Sequence, residues 1–188
     1  MLKIHRNKKQ LSVLEQPSLS EISVTERYDL QEFIWNSPDA FFAELKQDIV
    51  LIGKEFLPST SVQDRIDLLG LDKLGNIVVI ELKRGRNKLQ MFQAVSYAGM
   101  MSKWTAEEVW NVLSVSKQDE VREFLEVDVE QINQRQRIVL IAEAYDISLL
   151  IGSEWLCEQF GVDVLISRIS AAKDLASGVE YLYCAQVY

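Results

Sequence analysis

One histidine, His5, stands in 188 residues. That scarcity removes most metal chemistry built on imidazole, because zinc deaminase, metallo-hydrolase and paired-histidine phosphodiesterase sites each need more. His5 itself, close to the N-terminus, reads as incidental. Cysteine is nearly as sparse. Cys157 and Cys184 sit among apolar residues, a pattern for reduced core thiols rather than a disulfide framework or a thiolate metal site. No glycine-rich phosphate loop of the Walker or dinucleotide type occurs. No apolar run approaches the roughly 20 residues that cross a bilayer, and the basic start MLKIHRNKKQ has no apolar segment behind it, so a soluble cytoplasmic protein is expected. Positive charge is short too. Lys and Arg number 20 against 28 Asp and Glu, a net charge of −8, which argues against a protein that coats nucleic acid by bulk electrostatics. Any such contact has to be local.

What the chain does hold is a core: 48% hydrophobic and 26% charged residues are globular values, and the length suits one substantial domain. Its organising stretch is RIDLLGLDKLGNIVVIELKRGR, Arg65 to Arg86. An apolar run from Ile66 to Leu71, with Asp67 inside it, meets a turn around Gly75-Asn76, and a second run, Ile77 to Ile80, leads to Glu81-Leu82-Lys83. That is a hairpin signature. Side chains alternate along a strand and antiparallel partners pair symmetrically about their turn. With the turn centred near Leu74, Asp67 faces Glu81, and Lys83 shares Glu81's face. Two carboxylates about 5 Å apart at Cβ repel and lose hydration in an apolar sheet, so positive charge must lie between them. Lys83 could be that charge, in an inert structural bridge. The alternative is a divalent cation on Asp67, Glu81 and a backbone carbonyl near Leu82, the oxygen ligation Mg²⁺ takes, with Lys83 holding and helping deprotonate a bound water.

Asp67 followed by Glu81-Leu82-Lys83 on the next strand resembles the D-(E/D)-x-K signature of the PD-(D/E)XK nuclease superfamily. The surrounding words are most similar to the catalytic domain of NucS-type endonucleases, over about Glu26 to Phe160. The proline that names the superfamily is missing, Arg65-Ile66 standing ahead of Asp67. The resemblance implies a restriction-endonuclease-like α/β fold, with Asp67 and Glu81 holding Mg²⁺ or Mn²⁺ and Lys83 serving the attacking water. It also implies a metal-holding Glu on the first core helix, for which Glu26 is the candidate and Glu32 its competitor; the plain readings are dipole compensation and a solvated face. Finally, Gln93 and Tyr97, four apart on one helical face, resemble a Gln-x-x-x-Tyr element in which the amide orients the site or a phosphate. Tyr97 reads better as packing.

Along the rest of the chain, residues 1–24 read as a strand-and-loop extension and 25–188 as one nuclease-like domain. Thr25 caps an amphipathic helix ending at Asn36-Ser37-Pro38, and a short helix spans Asp39 to Leu45. Ile49 to Phe56 is a strand running into a Pro58-Ser59-Thr60 turn, with Glu55 either a third carboxylate or the partner of Arg65 or Lys54. Helices follow over Lys88 to Trp104, Thr105 to Leu113 and Gln118 to Leu125. Then come a buried strand Arg137 to Ala142, a helix Ser148 to Phe160, a strand Val162 to Ile169 and a last strand Val179 to Tyr188. Strands alternating with helices imply a mixed sheet covered on both faces. Two basic islands stand out, Lys3, Arg6, Lys8 and Lys9 at the N-terminus and Lys83, Arg84, Arg86 and Lys88 beyond the acids. The first reads as a solvated terminus, while Arg84, Arg86 and Lys88 emerge where a phosphate backbone would lie.

The expected function is therefore metal-dependent phosphodiester hydrolysis, of DNA first and with RNA left open. A homodimer is compatible with so small a domain but has no independent support in the sequence. The rival is a non-catalytic binding module on the same fold, in which Lys83 or an arginine neutralises Asp67 and Glu81 and no metal binds.

Overall fold

The computed structural model describes residues 1–59 and 63–187. Thr60 of the expected turn and Tyr188 of the expected last strand lie outside them. Among the described residues, strands β3 (Ile49–Phe56), β4 (Ile66–Asp72), β5 (Ile77–Lys83), β6 (Gln136–Ala142), β7 (Asp163–Lys173) and β8 (Glu180–Gln186) form one sheet in that order. β3, β4 and β5 make an antiparallel meander, β5, β6 and β7 run parallel, and β8 returns antiparallel to β7. The fold is α/β, a mixed sheet between helical layers, as the alternation of strands and helices predicts.

Period-two alternation sorts the core into two halves. Leu69, Leu71, Ile77 and Val79 point to one face and meet α3 (Gln90–Met101), α4 (Ala106–Asn111), α5 (Val115–Phe124) and α6 (Ile147–Phe160), through Tyr97, Met101, Val109, Val121 and Leu149. Leu68, Val78, Ile80 and Leu82 point to the other, covered by α1 (Gln31–Asn36) and α2 (Pro38–Leu45) through Ile34, Phe42 and Leu45. β5 is buried from Ile77 to Leu82, the continuous apolar pattern of a strand covered on both sides.

The central hairpin turns where expected. Asp72 Oδ1 accepts from the amides of Leu74 and Asn76 at 3.0 and 2.9 Å, and Gly75 takes a φ of +74° that a side chain would disfavour. Register runs Leu71↔Ile77 through Leu68↔Ile80. β3 carries a bulge between Leu51 and Gly53.

The first core helix departs from expectation. The chain enters α1 through a π-type turn, Glu26–Leu30, and Thr25 makes no side-chain cap. Instead the Thr25 hydroxyl and amide both donate to Asp29 Oδ2, at 2.6 and 2.7 Å. At the N-terminus β1 (Leu2–His5) and β2 (Gln10–Val13) form a separate hairpin. It is joined to β7 by a bridge between Glu15 and Lys173 and by a Lys3–Asp174 ion pair. Leu19 and Val24, before Thr25, are buried with α1 and α2. No helix among the described residues is long and apolar enough to cross a membrane.

Candidate active site

β4 and β5 carry the acids to one place because Asp67 and Glu81 lie just past the last ladder pair, Leu68↔Ile80. There Asp67 reaches across, and the Leu82 amide donates to its Oδ2 at 2.8 Å. Glu81 is buried, 2% exposed. Lys83 ends β5 with its ammonium among them: Nζ lies 3.2 Å from Glu26 Oε1, 3.5 Å from Glu81 Oε2 and 3.7 Å from Asp67 Oδ2. It also donates to the Leu82 carbonyl at 2.9 Å. Glu26 arrives from the π-type turn, and its Oε2 accepts from the Arg84 amide at 2.8 Å. Four of the expected site residues, Asp67, Glu81, Lys83 and Glu26, thus converge.

The electrostatics follow from crowding in a dry place. Burial, then the neighbouring Asp67 charge, pushes the Glu81 carboxyl up to about 8, against the pull of Lys83. Asp67 is raised as well, by burial, with Lys83 and the Leu82 amide opposing. Burial alone would lower Lys83, but Asp67, Glu81 and Glu26 together outweigh it and raise the amine. Glu81 Oε1 is buried and has no hydrogen-bond partner among the described residues, which leaves one carboxylate oxygen with spare coordinating capacity. Among the described residues no three of His, Cys, Asp and Glu form a group able to hold a metal ion. Any ion here would rest on two carboxylates and a main-chain oxygen, and Lys83 already occupies the space between the acids.

The remaining candidates stand apart. Glu32 pairs with Lys54 at 2.6 Å. Glu55, inside β3 with a φ of +50°, pairs with Arg27 at 2.7 Å and not with Arg65 or Lys54; its charge still helps raise Asp67. Gln93 is half-buried on α3, and its side chain has no hydrogen-bond partner among the described residues. Tyr97 packs in the core, 4% exposed, and burial, then the charges of Glu81, Asp64 and Asp67, push its hydroxyl up to about 12. Arg84, Arg86 and Lys88 are exposed between β5 and α3, with Arg86 3.6 Å from Asp146.

Two residues that sequence reasoning passed over hold this place from behind. Gln31 of α1, 2% exposed, donates its amide to the Asp67 carbonyl at 2.5 Å. Gln90 of α3, fully buried, donates to the Glu81 carbonyl at 2.8 Å and to Ile141 O at 3.3 Å. The only available signal was a glutamine on the apolar stripe of each helix.

No protein-family model matches the chain, and no curated protein matches it. Two solved structures are similar to it. One is a repair endonuclease from Pyrococcus abyssi, 19% identical with a TM-score of 0.42, over 81% of this chain and 48% of that one. The other is the EndoMS-dsDNA2 complex, 21% identical with a TM-score of 0.42, over 81% of this chain and 45% of that one. The chain spans about half the length of each of these structures.

Proposed function

We propose that the protein is a metal-dependent nuclease of PD-(D/E)XK type that hydrolyses phosphodiester bonds in DNA. The observation that carries this reading is the buried, unpartnered Glu81 Oε1 next to Asp67. Two carboxyls kept out of water and both raised above their ordinary range are a costly arrangement, and sites that sustain such cost are commonly functional. Asp67, Glu81 and the Leu82 carbonyl would hold Mg²⁺ or Mn²⁺. When bound, the ion lowers the pKa of its water and offsets charge on the phosphate.

The protein's own groups supply the rest. Lys83, kept protonated by its three acidic neighbours, orients the attacking water and donates toward a phosphate oxygen. Glu26 fixes Lys83 and the start of the basic loop. Arg84, Arg86 and Lys88 take the strand backbone.

A second reading has its own observation. Lys83 lies within 4.0 Å of three carboxylates, so a purely structural bridge in a non-catalytic binding module is already satisfied without an ion. Incubating the protein with plasmid, single-stranded and branched DNA in Mg²⁺ or Mn²⁺ against EDTA separates the two. The nuclease reading expects EDTA-sensitive cleavage that Asp67→Asn and Glu81→Gln each abolish. Cleavage that survives either substitution would mean that Asp67 and Glu81 are not its site, and no cleavage in any metal favours the binding module.

A further inference from the structure

Gln31 and Gln90 are unusual side chains to find where they are. Both lie on the inward stripe of a helix, beside Ile34 on α1 and beside Ala94, Tyr97 and Met101 on α3, where Leu or Met would pack without desolvating an amide. For Gln90 the cost is visible, since its Oε1 is buried with no partner among the described residues. A half-satisfied buried amide is destabilising relative to an apolar residue of similar shape. Two helices on opposite faces of the sheet carry one each, and each donates to the main-chain carbonyl of one of the two facing acids, Gln31 to Asp67 and Gln90 to Glu81.

We infer that Gln31 and Gln90 are a pair of positioning residues that clamp the backbones of Asp67 and Glu81 from the two sides of the sheet and so fix the separation of the two carboxylates. The inference rests on the nuclease reading for its catalytic consequence. β4 and β5 need such a device where they leave each other. Their ladder is regular only to Leu68↔Ile80, and beyond it the strands are tied through the Asp67 carboxylate, by the Leu82 amide and by Lys83, side-chain ties that a small slip would break. Gln90 also reaches Ile141 O, binding β5 to β6 at the same level, so Glu81 is anchored to the parallel half of the sheet as well. Neither amide touches a reacting group. They act through the two acids, and displacing a catalytic group by about 1 Å is enough to lose roughly 100-fold in rate.

Gln31→Met, Gln90→Met and the double variant test the clamp, since Met keeps length and apolar volume but cannot donate. Two measurements are read together: turnover in Mn²⁺, and hydrogen exchange of the Leu82 amide in metal-free protein. We expect kcat to fall tenfold or more in each single variant with KM for DNA within about twofold. Leu82 exchange should rise at least tenfold while amides of β7, remote from the clamp, stay as protected as before. A purely structural role would speed exchange everywhere and leave the folded enzyme's kcat unchanged, and that result overturns the inference. If the unaltered protein cleaves nothing yet Leu82 protection collapses selectively, the clamp stands and the nuclease reading falls. If it cleaves and neither kcat nor Leu82 responds, the clamp falls alone. Should the double variant fail to fold, either single variant decides on the same two readouts.

Discussion

Glu81 concentrates the chemistry of the protein in one side chain. Its carboxyl is held at about 8 rather than near 4.5, so in the metal-free protein it carries a proton at neutral pH that it would release on unfolding. A group raised on folding adds stability that is complete below its unfolded pKa and is lost as pH climbs through the folded value. The window is therefore about pH 4.5 to 8, and the slope can reach about 1.4 kcal/mol per pH unit. Glu81→Gln, neutral at every pH, should flatten the loss of thermal stability across that window in EDTA, as measured by calorimetry. Equal slopes for the two proteins would mean that Lys83 already keeps Glu81 ionised. Lys83 makes the converse case. Lys83→Met removes the one cation from among three carboxylates, so turnover should drop at least 100-fold while Mn²⁺ affinity, read by titration calorimetry, holds or rises. Parallel loss of both would show that the ammonium holds the acids together.

Elements were legible to the extent that their signals are local. The β4–β5 hairpin could be read because Gly75 and Asp72 fix a turn and alternation fixes the register, and with it the meeting of Asp67 and Glu81. The helix starting near residue 26 could be read too, but not its opening π-type turn, where the Thr25 hydroxyl and amide donate to Asp29 and the hydroxyl caps no helix amide. Gln31 and Gln90 escaped altogether: a buried glutamine donating across to a strand carbonyl looks, in one dimension, like any glutamine on an amphipathic helix. The bulge in β3 falls between Leu51 and Gly53, and a glycine inside a strand pattern was its one local sign. Gly70 has a tertiary origin. A Cβ there would sit 2.6 Å from Ile49 Cγ2 and 3.0 Å from the Val50 carbonyl, so β3 approaches β4 as closely as it does only over a glycine. Gly70→Ala should cost about 1–3 kcal/mol through overpacking, seen as a lower urea midpoint at unchanged slope. A change within about 0.5 kcal/mol would mean that β3 can shift away freely.

For the whole molecule the telling quantity is charge. At −8 overall, long-range attraction to a polyanion is weak, and on the nuclease reading any affinity for DNA would come from the few cations that stand clear of acids. Arg84 and Arg86 fit that description unequally. Among the described residues the Arg84 guanidinium has only a long 3.4 Å bond, to the Val24 carbonyl, whereas Arg86 is shared with Asp146 at 3.6 Å. Both are on the surface, so replacing them leaves the core intact. Each phosphate contact releases about 0.9 of a counterion from duplex DNA, and an island of this size supports a shallow dependence of log K on log salt. Arg84→Ala with Arg86→Ala should reduce the magnitude of that slope by about 2 while leaving the melting temperature near its original value. Fluorescence anisotropy of labelled duplex in EDTA, from 50 to 200 mM salt, measures it in protein that cannot cleave. Arg84→Ala alone should account for the larger part, because Asp146 already compensates Arg86. A slope unchanged in the double variant would take the loop out of the interface, and with it the idea that phosphate enters beside Lys83.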